Sequence, residues 1–360
     1  MRRGLMGWDA QELPEAALDA RRERLQAAMA RAGLDALLLY TNIVRPSAVC
    51  WLTGFTPYWI ESLLLVPRDG APMLASALSK RVADWIRATS RIADIVNTPK
   101  PGAAIGARLA AAAARRVGVL ELDGLPAGLY DDVTATAPAA ELVDASALFA
   151  AERRHIDAAE RGLIARADAL ARAALDQVDA AQAKDAGVLA GLVEKHARLG
   201  GAEEAYIAIA PDLDRDRRMV RVSRPAPLAP RFALRASIAY KGAWVRRTRS
   251  FARDPAGASA VLRAQAWFDE FVSSLMPGKP LVAQLAAQLQ RLPGADLRSF
   301  MAESCVGTYP LEAIAGLGTA GQAVPAAGAF LVLTVELAID DIPWLGAAPA
   351  FVGGNDPVGI

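Results

Sequence analysis

Two histidines, His155 and His196, and two cysteines, Cys50 and Cys305, are the only ones in this 360-residue chain. Chemistry that needs an imidazole or a thiolate therefore has few places to reside. His155 follows Arg153 and Arg154 in a charged helical segment, and His196 lies near a helix end, where a cation is favoured. Both read as surface or capping residues. The cysteines are too few for a disulfide framework or a thiolate metal site and read as small buried residues. Ser304 stands beside Cys305, but no base is in view to activate either one. The arginines carry a stronger signal: Arg235 and Arg246 lie eleven residues apart in RASIAYKGAWVRRTRSF, residues 235–251. Two forked donors on adjacent strands suit a carboxylate or a phosphate. An internal ion pair with Glu336 or Glu312 is a second reading, since buried charges need partners; a solvated strand face is the third. The first two readings both require the side chains to point inward.

The bulk composition argues against large charged partners. Lys+Arg number 40 and Asp+Glu 39, a net charge of +1, so neither nucleic acid nor an anionic membrane surface is an expected partner. The 53% hydrophobic fraction is inflated by alanine. Two arginines near the start are followed by no apolar stretch, and no run of about 18 apolar residues occurs, so a cytoplasmic location is expected. At 360 residues the chain exceeds the roughly 250–300 at which single cores stop growing, which predicts two domains.

Strands and helices alternate in the first part. Residues 16–33 carry Leu18, Leu25 and Met29 at helical spacing with Gly33 as the stop, and LDALLLY follows as a buried strand. Further apolar runs broken by Gly, Pro and Asp predict a mixed sheet covered by helices on both faces. A long helix is expected from about 152 to 178, with a domain boundary at its start: residues 1–150, then 151–360. The second part reads as a helix ending at Gly200, strands from 203 onward, helices near 257–275 and 281–292, and strands again in ESCVGTYPLEAI, AFLVLTVELAI and APAFVGG.

The segment RRERLQAAMARAGLDALLLYTNIVRPSAVCWLTGFTPYWIESLLLVPRDGAPML resembles the creatinase/prolidase N-terminal domain, with LDALLL, WLTGF and LLLVPRDG in that family's order. ERRHIDAAERGLIARADALARAAL is similar to the first helix of the pita-bread domain of aminopeptidase P, prolidase and creatinase. AYKGAWVRRTRSF, ESCVGTYPLE and LTVELAI resemble its metal-strand hairpin, its histidine-glycine block and its glutamate strand. The resemblance implies an α/β chain with a creatinase-like mixed-sheet domain followed by an α+β pita-bread domain of the M24 peptidase type.

In that family two aspartates, one histidine and two glutamates hold a dinuclear metal. Carried onto this chain, Arg235 and Arg246 stand at the aspartate positions, Ser304 at or beside the histidine, Glu336 at one glutamate and Ala347 at the other, while Glu312 occupies a histidine-glutamate pair. Guanidinium groups cannot ligate a cation, so no dinuclear metal and no other cofactor is expected. Creatinase works without metal through a histidine, but the corresponding stretch here, APDLDRDRRMVRVSRPAP, has none. The resemblance also implies dimers in which an N-terminal domain reaches over a partner's pocket. That makes Trp51, Tyr58 and Trp59 either core aromatics or a lid and dimer contact. The expected function is a non-catalytic binding or regulatory subunit, homodimeric or paired with an active homologue, with a small anionic ligand as a candidate. Two alternatives stay open: a metal-independent hydrolase of a small amide or C–N bond using a rearranged site, and an interaction scaffold.

Overall fold

The computed structural model describes residues 8–56, 60–92, 94–222, 224–317 and 323–353. The chain divides into two compact units, Met1–Ala159 with Cys305–Pro310, and Glu160–Ser304 with Leu311–Ile360. In chain order the first unit holds α1 (Glu15–Arg31), β1 (Ala36–Thr41), α2 (Ser47–Thr53), β2 (Ser62–Pro67), β3 (Met73–Ser76), α3 (Ala83–Thr89), β4 (Asp94–Asn97), α4 (Pro101–Ala111), β5 (Arg116–Val119), α5 (Ala127–Thr136), β6 (Glu141–Asp144) and α6 (Ser146–Arg153). Its six strands form one mixed sheet in the order β4-β3-β2-β1-β5-β6. The central strands β1 and β2 are near-continuous apolar runs because both of their faces are covered. Leu37 and Leu39 face a core shared with Met29 of α1 and Phe149 of α6; Leu38 and Tyr40 face the opposite core, with Leu109 of α4 and Val133 of α5. This is the helix-covered mixed sheet that the alternating apolar runs predict.

The helix expected over 152–178 is interrupted. α6 ends at Arg153 and α7 begins at Ala158 (Ala158–Leu175). Between them Asp157 accepts Arg21 Nε at 2.6 Å and Nη2 at 3.1 Å, which ties the break to α1. Aspartate favours the residue before a helix over its interior, which suits Asp157 to the restart at Ala158.

The second unit continues with α8 (Ala186–Leu199), β7 (Glu204–Ala210), β8 (Arg231–Tyr240), β9 (Ala243–Ala252), α9 (Pro255–Ser273), α10 (Leu281–Leu289), β10 (Ala295–Ser304), β11 (Glu312–Gly316), β12 (Phe330–Ile339) and β13 (Ile342–Phe351). Seven antiparallel strands run in the order β11-β10-β12-β13-β9-β8-β7. One face of β10, β12 and β13 buries Phe300, Leu333, Val335 and Trp344 against Phe268 and Phe271 of α9 and Leu285 of α10. The ten-residue strands thereby alternate between a helix-covered core face and a face free to carry polar side chains.

Two tight turns fix the register of this sheet. Lys241 and Gly242, at φ 45° and 78°, join β8 to β9, and Asp340 and Asp341, at φ 50° and 66°, join β12 to β13. Positive φ at both central residues is the two-residue hairpin turn whose twist matches the flanking strands. Among the described residues no helix is long and apolar enough to cross a membrane.

Candidate functional site

The eleven-residue spacings acquire a geometric meaning from those turns. Across the first hairpin Arg235 pairs with Thr248 and Ser237 with Arg246. Across the second, Thr334 pairs with Ala347 and Glu336 with Leu345. Residues eleven apart are thus diagonal neighbours on one face of a two-residue hairpin, close enough for long side chains to share a site. Thr248 also pairs with Ala347 where β9 meets β13, and Thr334 with Met301 on β10. Paired residues point to the same side of a sheet. Arg235, Thr248, Ala347 and Thr334 therefore form a row across four strands, with Arg246 and Glu336 on the same face.

The charges on this face are matched differently from either pairing expected from the sequence. Arg246 Nη1 donates to Glu303 of β10, a residue only 5% exposed, and Arg246 Nε reaches Ser237 Oγ at 3.4 Å. Glu336 Oε1 accepts Arg217 Nη1 at 3.0 Å. Neither Glu303 nor Arg217 stood out in the sequence. Glu303 adjoins Ser304 in the block that resembles a histidine motif, and Arg217 lies in an irregular segment where periodicity gives no direction.

That segment is held by its backbone. Val220 and Ile209 of β7 exchange two hydrogen bonds at 2.9 Å, and Leu213 N donates to the Arg231 carbonyl at 3.0 Å. It carries Arg217 to Glu336, and with Arg218, Met219 and Val220 it walls a cavity of about 590 Å³ whose other lining residues are Arg235, Thr248, Thr334 and Leu345.

Arg235 is, with Arg218, one of two arginines lining that cavity. Among the described residues its side chain forms no hydrogen bond or ion pair. Burial pulls its pKa below the ordinary arginine value, and the Arg246 charge adds to this while Glu303 opposes it. A guanidinium so placed still keeps its proton at neutral pH. Thr334 Oγ1, in the same lining, is buried without a hydrogen-bond partner.

The remaining positions are structural in their contacts. Ser304 is 4% exposed, and its hydroxyl donates to the Phe330 carbonyl at 2.7 Å. Strand alternation turns it away from the face that carries Glu303. Glu312 opens β11 opposite Ser304 and is half-buried. Ala347 is 2% exposed and contributes only a methyl group to the row. Trp51 lies in the core of the first unit, 5.6 Å edge-on from Phe149, with the guanidiniums of Arg21 and Arg153 at 5.5 and 5.1 Å from its ring centre. Tyr58 and Trp59 lie outside the described residues. His155 is exposed, and His196 sits in the last turn of α8.

This donor set does not fit a dinuclear metal. Hard divalent ions need several carboxylate oxygens, one of them bridging. The face offers two arginines, an alanine and two glutamates, each glutamate already bound by an arginine. Among the described residues no group of three or more His, Cys, Asp or Glu side chains is placed to hold a metal.

Residues 21–155 match the family described as Creatinase/Prolidase N-terminal domain. No curated protein sequence matches the chain. Solved structures share its fold over nearly the whole length. The Xaa-Pro dipeptidase from Bacillus anthracis superposes with a TM-score of 0.71 at 15% identity, covering 93% of this chain and 95% of that one. The prolidase from Pyrococcus horikoshii OT3 gives 0.69 at 14%, covering 92% and 95%. The N-terminal domain of the FACT complex subunit SPT16 from Cicer arietinum gives 0.65 at 16%, covering 94% of each. The chain is a two-sheet α/β protein of the pita-bread class. More particularly, residues 21–155 are similar to a creatinase/prolidase N-terminal domain, and the likeness of the whole chain to the solved dipeptidase and prolidase is one of fold.

Proposed function

We propose that the chain is a catalytically degenerate relative of the M24 peptidases that serves as a non-catalytic binding or regulatory subunit of a dimer, with itself or with an active homologue. The observation that carries this reading is the charge inversion of the site face. Where a dinuclear hydrolase needs free carboxylates, Arg235 and Arg246 stand, and the carboxylates present are held by Arg246 and Arg217. A metal-free hydrolysis of the creatinase kind needs a histidine as proton shuttle. The face has none, and the two histidines lie on an exposed turn and a helix end.

The likeness to the FACT subunit domain supports a second, related reading, an interaction scaffold, because that neighbour is a component of a complex. Fold alone does not decide between the two. The test is an assay of the purified chain, supplied with manganese or zinc, on Xaa-Pro dipeptides, together with co-expression alongside an intact homologue. No turnover and a recoverable mixed dimer are expected. Hydrolysis that disappears in Glu336→Gln would contradict the proposal, and strictly homodimeric assembly would remove the paired-homologue form of it.

A further inference from the structure

The cavity beside Arg235 has the chemistry of a receptor for one small molecule. We propose that it binds a small monocarboxylate with an apolar body, the carboxylate seated on the Arg235 guanidinium and the Thr334 hydroxyl, the body against Met219, Val220 and Leu345. The inference rests on the degenerate-site reading, since it assigns the anion to Arg235 and not to a bound metal ion.

Charge complementarity sets the ligand's valence. Of the two arginines that line the cavity, Arg218 is neutralised by Asp216, which accepts its Nε at 3.0 Å and its Nη2 at 2.7 Å. Arg246 nearby is neutralised by Glu303. Of these three arginines, Arg235 alone is without an ion pair among the described residues, and one positive charge matches a carboxylate better than a phosphate dianion. Arginine's planar fork is suited to donate to both carboxylate oxygens.

The hydroxyl supplies the second polar contact. Thr334 Oγ1 is buried without a partner and shares the cavity lining with Arg235. A buried polar group left unmatched by the protein is the kind of group a ligand completes. Met219, Val220 and Leu345 supply the apolar part of the lining, beside Thr248 and the Asp216-paired Arg218, and this favours a ligand with an apolar body over a highly charged one. The volume of about 590 Å³ falls within the roughly 300–1,000 Å³ usual for small-molecule sites. The site would thus have exchanged a cation for an anion while keeping its place on the sheet.

The test uses the full chain and three probes: 4-methylpentanoate, its uncharged amide and inorganic phosphate. Ligand binding to the folded state raises the melting temperature in a concentration-dependent way. The acid is expected to stabilise the protein saturably, with the amide and phosphate inert. Arg235→Met should lower affinity for the acid by at least about tenfold. Thr334→Val, which removes only the hydroxyl and is expected to fold, should lower it by about threefold.

No stabilisation by the acid would overturn the proposal. So would equal stabilisation by the amide, preference for phosphate, or acid binding unchanged in both variants. Metal content measured on the same samples separates the two levels. Absence of binding in metal-free protein overturns the pocket alone, whereas two divalent ions per chain overturn the degenerate-site reading as well.

Discussion

Arg246 and Glu303 form the most buried charge pair on the site face, with side-chain exposures of 20% and 7%. Removing one partner strands the other, which typically costs about 3–5 kcal/mol, whereas replacing both by apolar residues of similar volume is often close to neutral. Arg246→Met is therefore expected to destabilise the chain by about 3 kcal/mol in urea unfolding, and Arg246→Met with Glu303→Met to recover most of that loss. Equal destabilisation by the single and double changes would show that the pair is not what holds the face together. Thr334→Val makes the opposite prediction, because it deletes a buried hydroxyl that has no partner. In the absence of ligand it should raise stability by about 1 kcal/mol. Arg235, Arg246, Glu336 and Ala347 were legible in the sequence through the resemblance of their strands to a family's metal strands, and a two-residue turn converts their eleven-residue separations into proximity on one face. Glu303 was hidden because its face depends on the pairing of β10 with β12, a long-range register that no local pattern encodes. Arg217 was hidden because it belongs to a segment whose position is set by backbone bonds to β7.

The β8–β9 hairpin depends on its turn. Gly242 adopts φ 78°, a conformation that costs L-residues about 1–2 kcal/mol, so Gly242→Val is expected to lower stability by at least that amount and to loosen the register that sets Arg235 against Thr248. Urea unfolding measures the first effect, and amide exchange along β8 and β9 measures the second. At the far end of the same hairpin, Asp254 precedes α9 and accepts Arg231 Nε at 2.9 Å and Nη2 at 3.0 Å, together with Gly257 N at 2.8 Å. The Arg231 hydrogen bonds, followed by that from Gly257, hold its pKa at about 2, below the ordinary 3.8. A carboxylate with a depressed folded-state pKa contributes stability that is fully present above its unfolded pKa and is lost as pH falls through the folded one. Between pH 4 and 2 the melting temperature should fall less steeply in Asp254→Asn, which keeps a capping side chain but does not titrate. An unchanged acid limb would contradict that assignment. The helices and strands themselves were largely readable from apolar periodicity. The break between α6 and α7 was not, because alanines and charges continue across it and the interruption is tied to Asp157 meeting Arg21.

At the scale of the whole molecule, the alternation of apolar runs predicts a helix-covered mixed sheet followed by a strand-rich second part, and both are present. The compact units divide at Ala159 and Glu160, with Cys305–Pro310 belonging to the first, a discontinuity that no linear reading of composition reveals. The central proposal is that this chain, which shares its fold with a solved Xaa-Pro dipeptidase, presents arginines on the face where a divalent site would need carboxylates. Its most direct test is the metal stoichiometry of the purified chain after equilibration with excess manganese or zinc and removal of free ion. No stoichiometric binding is expected. Two divalent ions retained per chain, and lost on Glu336→Gln, would contradict it.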